Sequence, residues 1–342
     1  MMLKFRAAVI AFTLAAMFMI PLSAIPKDAE KPKTEKEEIS SSSSSSEIGK
    51  AEFLTEEKEE NFFRIFDIES EEIINVSYED YVKGAIASEM GADFEFEALV
   101  AQGVAAFSCG LYQKNAHLAA DYDFSAAPDK KLGYMTEEKA RDVYGSAFDE
   151  KWAVISSAAE KAMEYVVIYD GEPALTAYHA ASNGRTESAE NVWGGKVPYL
   201  VSVKSPGDAF WEYYESEVTV DEKTVLEKLN KNGAGLSGAY QEQWFEGAVL
   251  TEAGYVDYIE IGGATFSGER IRSLFGLRSA SFSVKYREGE FVFAVQGYGH
   301  GVGLSQIGAN YMAKEGFDFK RILAHYYPGT EIVKYKNLTK NA

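Results

Sequence analysis

Cysteine is almost missing from this chain. Cys109 stands alone among 342 residues, so no internal disulfide can form and stability has to come from packing and hydrogen bonds, even in an oxidising compartment. Positive charge is also short: 34 Lys and Arg face 53 Asp and Glu, a formal charge of −19. Without a basic run to displace counterions from phosphates, nucleic acid is excluded as a partner. Histidine occurs four times and never in an H-E-x-x-H spacing; His179, Glu187 and His300 could meet only through the fold, and we expect no zinc. The glycine run GYGHGVG fits neither G-x-G-x-x-G nor G-x-x-x-x-G-K-[ST], and no G-x-S-x-G elbow supports serine hydrolysis. What remains is a chain 46% hydrophobic and 13% aromatic, long enough for one large domain or two modest ones.

Its amino terminus is different in kind. Lys4 and Arg6 precede an uncharged, mostly apolar stretch over residues 7–26, near the minimum length for a membrane-spanning helix. It reads as a signal-anchor, with a cleaved signal peptide as the alternative because Leu22-Ser23-Ala24 loosely fits a cleavage site. Either one exports the remainder of the chain. Residues 27–60 hold 6 Lys, 11 Asp and Glu and seven consecutive serines from Ser40 to Ser46, too little apolar surface to offset the entropy of ordering, and predict a disordered tether. The folded domain is therefore placed at 61–342. Removing +2 for the first 26 residues and −5 for the tether from −19 leaves −16 on it.

Within that domain the patterning predicts a strand over 62–68, a helix over 78–90 capped by Ser77, and a second helix over 95–114. Residues 115–149 read as loop-rich. A helix over 151–164, a strand over 165–169, and a helix over 220–230 behind Asp221 come after them. Next are a strand over 255–261, a helix from Ser267 to 275 and a hairpin over 281–296. Helices over 308–315 and 317–327 end at Pro328-Gly329. Helix and strand without regular alternation define an α+β fold.

Three segments concentrate glycine, small polar residues and a Glu or His: YVKGAIASEM (81–90), YHAASNGRTESAENVWGGKVPYL (178–200) and GYGHGVGLSQIGANYMAKEGF (297–317). Such composition suits backbone wrapped closely around a ligand. Val82, Ile86 and Glu89 follow i, i+4, i+7, placing a carboxyl on the apolar stripe, and Gln102 lies on the inner face of the next helix. A carboxyl so placed either loses hydration and stays protonated near neutrality, or reaches water at the rim of the stripe. The glycine run either directs His300, Ser305 and Gln306 toward a substrate or is a structural turn.

Taken together and in this order, Y-V-K-G-x-x-A-S-E-M, S-N-G-x-T-E-x-x-E-x-V-W-G-G-K-x-P-Y-L and G-H-G-V-G-x-S-Q-x-G-A-N resemble the SpoIID/LytB family over residues 62–332. The resemblance implies a lytic transglycosylase that cuts peptidoglycan glycan strands between N-acetylmuramic acid and N-acetylglucosamine, without a cofactor. Glu89 matches the catalytic glutamate, acting first as acid and then as base toward the muramic acid C6 hydroxyl. His300, Ser305 and Gln306 would line the glycan cleft between two lobes, joined by Tyr178, His179 and Ser182, with Gln102 orienting Glu89. Trp193 and Tyr199 could stack on sugars or sit in the core. The implied setting is septal remodelling during engulfment of the forespore, as a single-pass membrane protein with its folded domain outside. Its implied partners are strands stripped of stem peptides, a sporulation amidase and a membrane protein that assembles with both. The family's second-helix arginine is Phe107 here, and the proline after S-E-M is Gly91. The loss of that cation keeps two other classes open: a non-catalytic glycan-binding activator of the amidase, and a protein-only scaffold.

Overall fold

The computed structural model describes residues 61–118, 120–128, 133–237 and 240–338. The expected anchor and tether lie outside these residues, and among them no helix is long and apolar enough to cross a membrane.

The described chain opens with strand β1 (Phe62–Asp67), which turns through a tight bend into β2 (Glu72–Ser77) and pairs with it antiparallel, Phe62 opposite Ser77. Helix α1 (Tyr78–Glu89) leaves β2 directly, because Ser77 accepts the Asp80 N–H at 3.0 Å and supplies the cap its sequence announces. Helix α2 (Phe96–Ala116) is buried around nearly its whole circumference, as expected of a helix apolar on all sides, and the rest of this core is built on it. Beyond it β3 (Phe124–Ala126) joins β1 in parallel, and α3 (Glu137–Tyr144) and α4 (Phe148–Ala162) follow.

The stretch expected to be loop-rich thus holds β3 and the whole of α3. The sequence of α3, EEKARDVY, buries only Ala140 and carries no apolar stripe, so periodicity could not reveal it. Likewise β2 buries no residue and shows no clear alternation.

After α4 come β4 (Tyr165–Tyr169) and β5 (Glu172–Pro173). Next are the short β6 (Tyr178–His179) and α5 (Ala189–Trp193). The chain then builds a second unit: β7 (Glu215–Asp221), α6 (Glu222–Lys231), β8 (Val249–Leu250), β9 (Val256–Ile261), β10 (Ala264–Ser267), α7 (Gly268–Phe275), β11 (Phe282–Arg287) and β12 (Glu290–Gln296). Val220, expected at the start of a helix, lies in β7 instead, because it pairs with Phe291. The caps Asp221 and Ser267 form as expected. The chain returns to the first unit through β13 (Leu304–Ser305), α8 (Gln306–Lys314), α9 (Phe319–Tyr326) and β14 (Glu331–Lys334), which pairs with β4.

Among the described residues two large hydrophobic cores result, besides a small cluster of Ala253, Tyr255 and Ala280. The larger gathers Phe63, Tyr81, Leu99, Phe107, Tyr326 and Tyr327 around α2; the smaller gathers Val225, Leu229, Ile259, Phe275, Phe291 and Phe293 within the second unit. Fully burying each such side chain is worth about 1.5–3 kcal/mol, enough to hold both units without a disulfide. The fold is mixed α/β, with helices and several small sheets of order β2-β1-β3, β14-β4-β5, β13-β6, β10-β9-β8 and β11-β12-β7.

Candidate active site

The glycine-rich loop is stitched to the middle motif by backbone. Ala181 and Tyr298 exchange hydrogen bonds, Glu187 N–H donates to Gly301 at 2.7 Å, and β13 runs parallel to β6 with Leu304 opposite Tyr178. Alternate glycines make that approach possible. At Gly303 (φ +73°) a Cβ would stand 2.0 Å from the Ala177 carbonyl, and at Gly299 (φ +125°) 2.6 Å from the His179 Cβ.

This stitching sets the start of α8 against the end of α1. Gln306, the first residue of α8, donates through Nε2 to Glu89 Oε2 at 3.2 Å and to Gln102 Oε1 at 3.4 Å, so residues from all three helices meet. Part of Glu89 remains accessible, but its Oε1 is buried and accepts or donates no hydrogen bond. Burial pushes the carboxyl up to about 8, and the Gln306 amide only partly offsets this. Glu89 ends α1, where the helix dipole also disfavours an anion and no basic residue occupies the last turn. Tyr178 and Tyr81 stand close enough to feel its charge.

The other residues singled out in the sequence fall into two further groups. Successive strand residues point to opposite sides, so Tyr178 turns toward Glu89 and His179 turns away. His179 donates through Nδ1 to the Val302 carbonyl at 3.1 Å and faces His300 at 5.7 Å, whose own Nδ1 accepts the Val302 N–H. Trp193 meets His300 edge-on at 5.3 Å. Burial keeps both imidazoles neutral, His179 falling to about 4 and His300 well below its ordinary value. Glu187 is held by Asn191 and Thr251 instead of the histidines, and among the described residues no three His, Cys, Asp or Glu are grouped to hold a metal ion.

Ser182 and Ser305 form the third group around a residue the sequence did not single out. Asp208 Oδ2 accepts from the Ser182 N–H at 2.8 Å and from its hydroxyl; Oδ1 accepts from the Ser305 hydroxyl at 2.7 Å. Both serines are fully buried, and Ser305 also caps α8 through the Gly308 N–H, so α8 starts two residues earlier than expected. Their hydroxyls are thus committed to holding the motifs together and do not open onto a cleft. Asp208 lies in K-S-P-G-D, a turn with no periodicity to betray its burial; desolvation raises its carboxyl to about 6. Tyr199 is also buried, its hydroxyl accepting the Leu175 N–H at 2.7 Å.

Phe107 lies five residues beyond Gln102 on α2, about 140° around the helix by its 3.6-residue turn. Its ring packs in the core against Tyr78 and Tyr335 at 5.3 and 5.1 Å.

These features define a mixed α/β protein in which one shielded carboxyl, ending a helix, is gripped by an amide from a glycine-rich loop-helix junction. The chain belongs to the SpoIID family: residues 68–169 match the family described as "SpoIID: Stage II sporulation protein". Stage II sporulation protein D of Bacillus subtilis (strain 168) is 35% identical over 272 residues, covering 78% of each chain. The Bacillus amyloliquefaciens protein of that name is 34% identical over 78% of this chain and 77% of its own. The "Amidase enhancer" of Bacillus subtilis (strain 168) is 28% identical over 74% of this chain and 40% of that protein.

Proposed function

We propose that this protein is a lytic transglycosylase of the sporulating cell envelope, cutting peptidoglycan strands between N-acetylmuramic acid and N-acetylglucosamine with Glu89 as its single catalytic residue. The observation that carries the reading is the state of Glu89: a desolvated carboxyl, raised to about 8, with one oxygen pinned and the other without a partner. Because Oε2 accepts from Gln306, the proton belongs on Oε1. From there it passes to the glycosidic oxygen as the bond to C1 breaks, once the glycan has parted the cover over that oxygen. The resulting carboxylate takes the proton of the C6 hydroxyl, whose oxygen closes on C1 to leave an anhydro end. Hydrolysis would call on a second carboxylate to activate water or attack C1, whereas this route needs Glu89 alone.

Gln306 and Gln102 hold the acid, Tyr178 borders it, and the two hydrophobic cores supply two lobes that flank the strand. His179 and His300, backed by Trp193, shape the loop beside the cleft. The apolar stretch over residues 7–26 anchors the chain, with the folded domain outside, at the septum engulfed during sporulation. The preferred substrate is a strand stripped by the sporulation amidase, which acts with this protein and an associated membrane protein. The test is to incubate the full chain and Glu89→Gln with stripped strands and read the ends by mass spectrometry. Anhydromuramic ends that vanish in the variant support the reading; reducing ends only, or no cleavage, overturn it.

A second reading, a non-catalytic glycan-binding activator of the amidase, draws on the relative named for enhancing an amidase. It predicts that Glu89→Gln stimulates the amidase as well as the parent does.

A further inference from the structure

The segment after Asp208 carries four aromatic residues in five positions, Phe210, Trp211, Tyr213 and Tyr214, and Phe210 is 75% exposed. Its ring is nonetheless fixed. It stacks on Tyr311 of α8 with centroids 5.3 Å apart and planes 21° from parallel. Tyr311 in turn lies directly on the backbone of the preceding turn, since a Cβ at Gly207 would stand 2.5 Å from its Cγ. Beside them Trp211 meets Tyr213 edge-on at 5.6 Å, and Arg278 fixes the Tyr213 carbonyl at 3.3 Å.

This aromatic surface is tied to the acid by two short routes. Tyr311 is five residues along α8 from Gln306, about 7.5 Å of helix rise. Phe210 is two residues past Asp208, which grips Ser305, the neighbour of Gln306. The platform is therefore built into the same framework that positions Glu89.

We propose that Phe210, braced by Tyr311, is a stacking subsite for a sugar ring of the glycan strand distal to the bond at Glu89. This deepens the function proposed above and rests on it. A polymer cut at an internal bond must continue across the surface on both sides of the acid. The C–H face of a pyranose ring is electropositive and apolar and fits the electron-rich face of an aromatic ring. A rigid ring adds to this, because little side-chain freedom is lost on binding.

The experiment measures binding of β-1,4-linked N-acetylglucosamine oligomers, dimer through octamer, to the full chain in the Glu89→Gln background, where cleavage cannot distort the reading. Phe210→Ala should weaken the long oligomers about tenfold while leaving the dimer unchanged, and Phe210→Trp should restore the affinity. Equal affinity of parent and Phe210→Ala for the octamer would overturn the proposal, as would a loss shared by the dimer. The two claims separate cleanly. If wild-type chain makes no anhydro ends yet Phe210 still governs binding of long oligomers, the transglycosylase reading fails and the subsite stands. If anhydro ends form while octamer binding ignores Phe210, the reverse holds.

Discussion

Gln306 donates an amide hydrogen to Glu89 across 3.2 Å, joining two residues 217 positions apart in sequence. The contact places the carboxyl, which the end of α1 presents, under the control of the loop that precedes α8. Substituting Gln306 by Leu removes the one hydrogen bond that favours the ionised form. The Glu89 midpoint should then move above 8, and cleavage should fall about ten- to a hundredfold because the acid is no longer oriented. A pH-rate profile checks both: its alkaline limb, at which the acid loses its proton, shifts upward in the variant.

A second expectation concerns stability. Glu89 titrates near 8 in the folded chain and near 4.5 when unfolded, so the folded state holds its proton more tightly. That contribution is fully present below about pH 4.5 and is lost as pH rises toward 8. Glu89→Gln has no proton to lose. Its stability relative to wild type should therefore rise between pH 4.5 and 8 and level off above, by a few kcal/mol at about 1.4 kcal/mol per unit. Parallel urea titrations across this range measure the gap; a constant gap would show that the carboxyl is not shifted.

Asp208 should matter for folding more than for chemistry. Asp208→Ala leaves the Ser182 N–H and hydroxyl buried without an acceptor and the Ser305 hydroxyl with only the long 3.4 Å contact to the Ala180 carbonyl, at about 1–3 kcal/mol for each unsatisfied group. We expect a loss of about 3–5 kcal/mol and, because α8 loses the anchor of its cap, a fall in activity in proportion to the unfolded fraction. Denaturation followed by circular dichroism provides the check.

Legibility in the sequence differs from residue to residue. Helical periodicity assigned Glu89 and Gln102 each a face but left open whether the Glu89 carboxyl is buried or reaches water, and its role came from the motif; the caps Ser77, Asp221 and Ser267 were legible because capping is local chemistry. Gln306 was legible only as part of a motif, since its contact is set by a loop that closes over more than two hundred residues. Ser182 and Ser305 were misleading: a small polar residue in a glycine-rich segment suits a cleft, but these two are turned inward by a buried aspartate. Asp208 itself was invisible, because burial of a charge in a turn leaves no pattern along the chain. The same holds for α3, whose polar surface hides its helical period.

Phe107 illustrates the limit of reading a position from its family. The absent arginine raises the question of a missing cation near the acid, yet the position faces Tyr78 and Tyr335 in the core. Phe107→Arg should therefore cost about 3 kcal/mol or more by burying an unpaired charge, with no gain in cleavage rate. Thermal unfolding and an activity assay on the same sample distinguish this from a repaired active site, which would gain rate without losing stability.

The proposed chemistry requires Glu89 to be a neutral acid at physiological pH. The direct measurement is a difference infrared titration of the full chain against Glu89→Gln, following the protonated carboxyl band. The band should persist through neutrality and disappear with a midpoint near 8. A midpoint near 4.5, the ordinary value for an exposed glutamate, would contradict this mechanism.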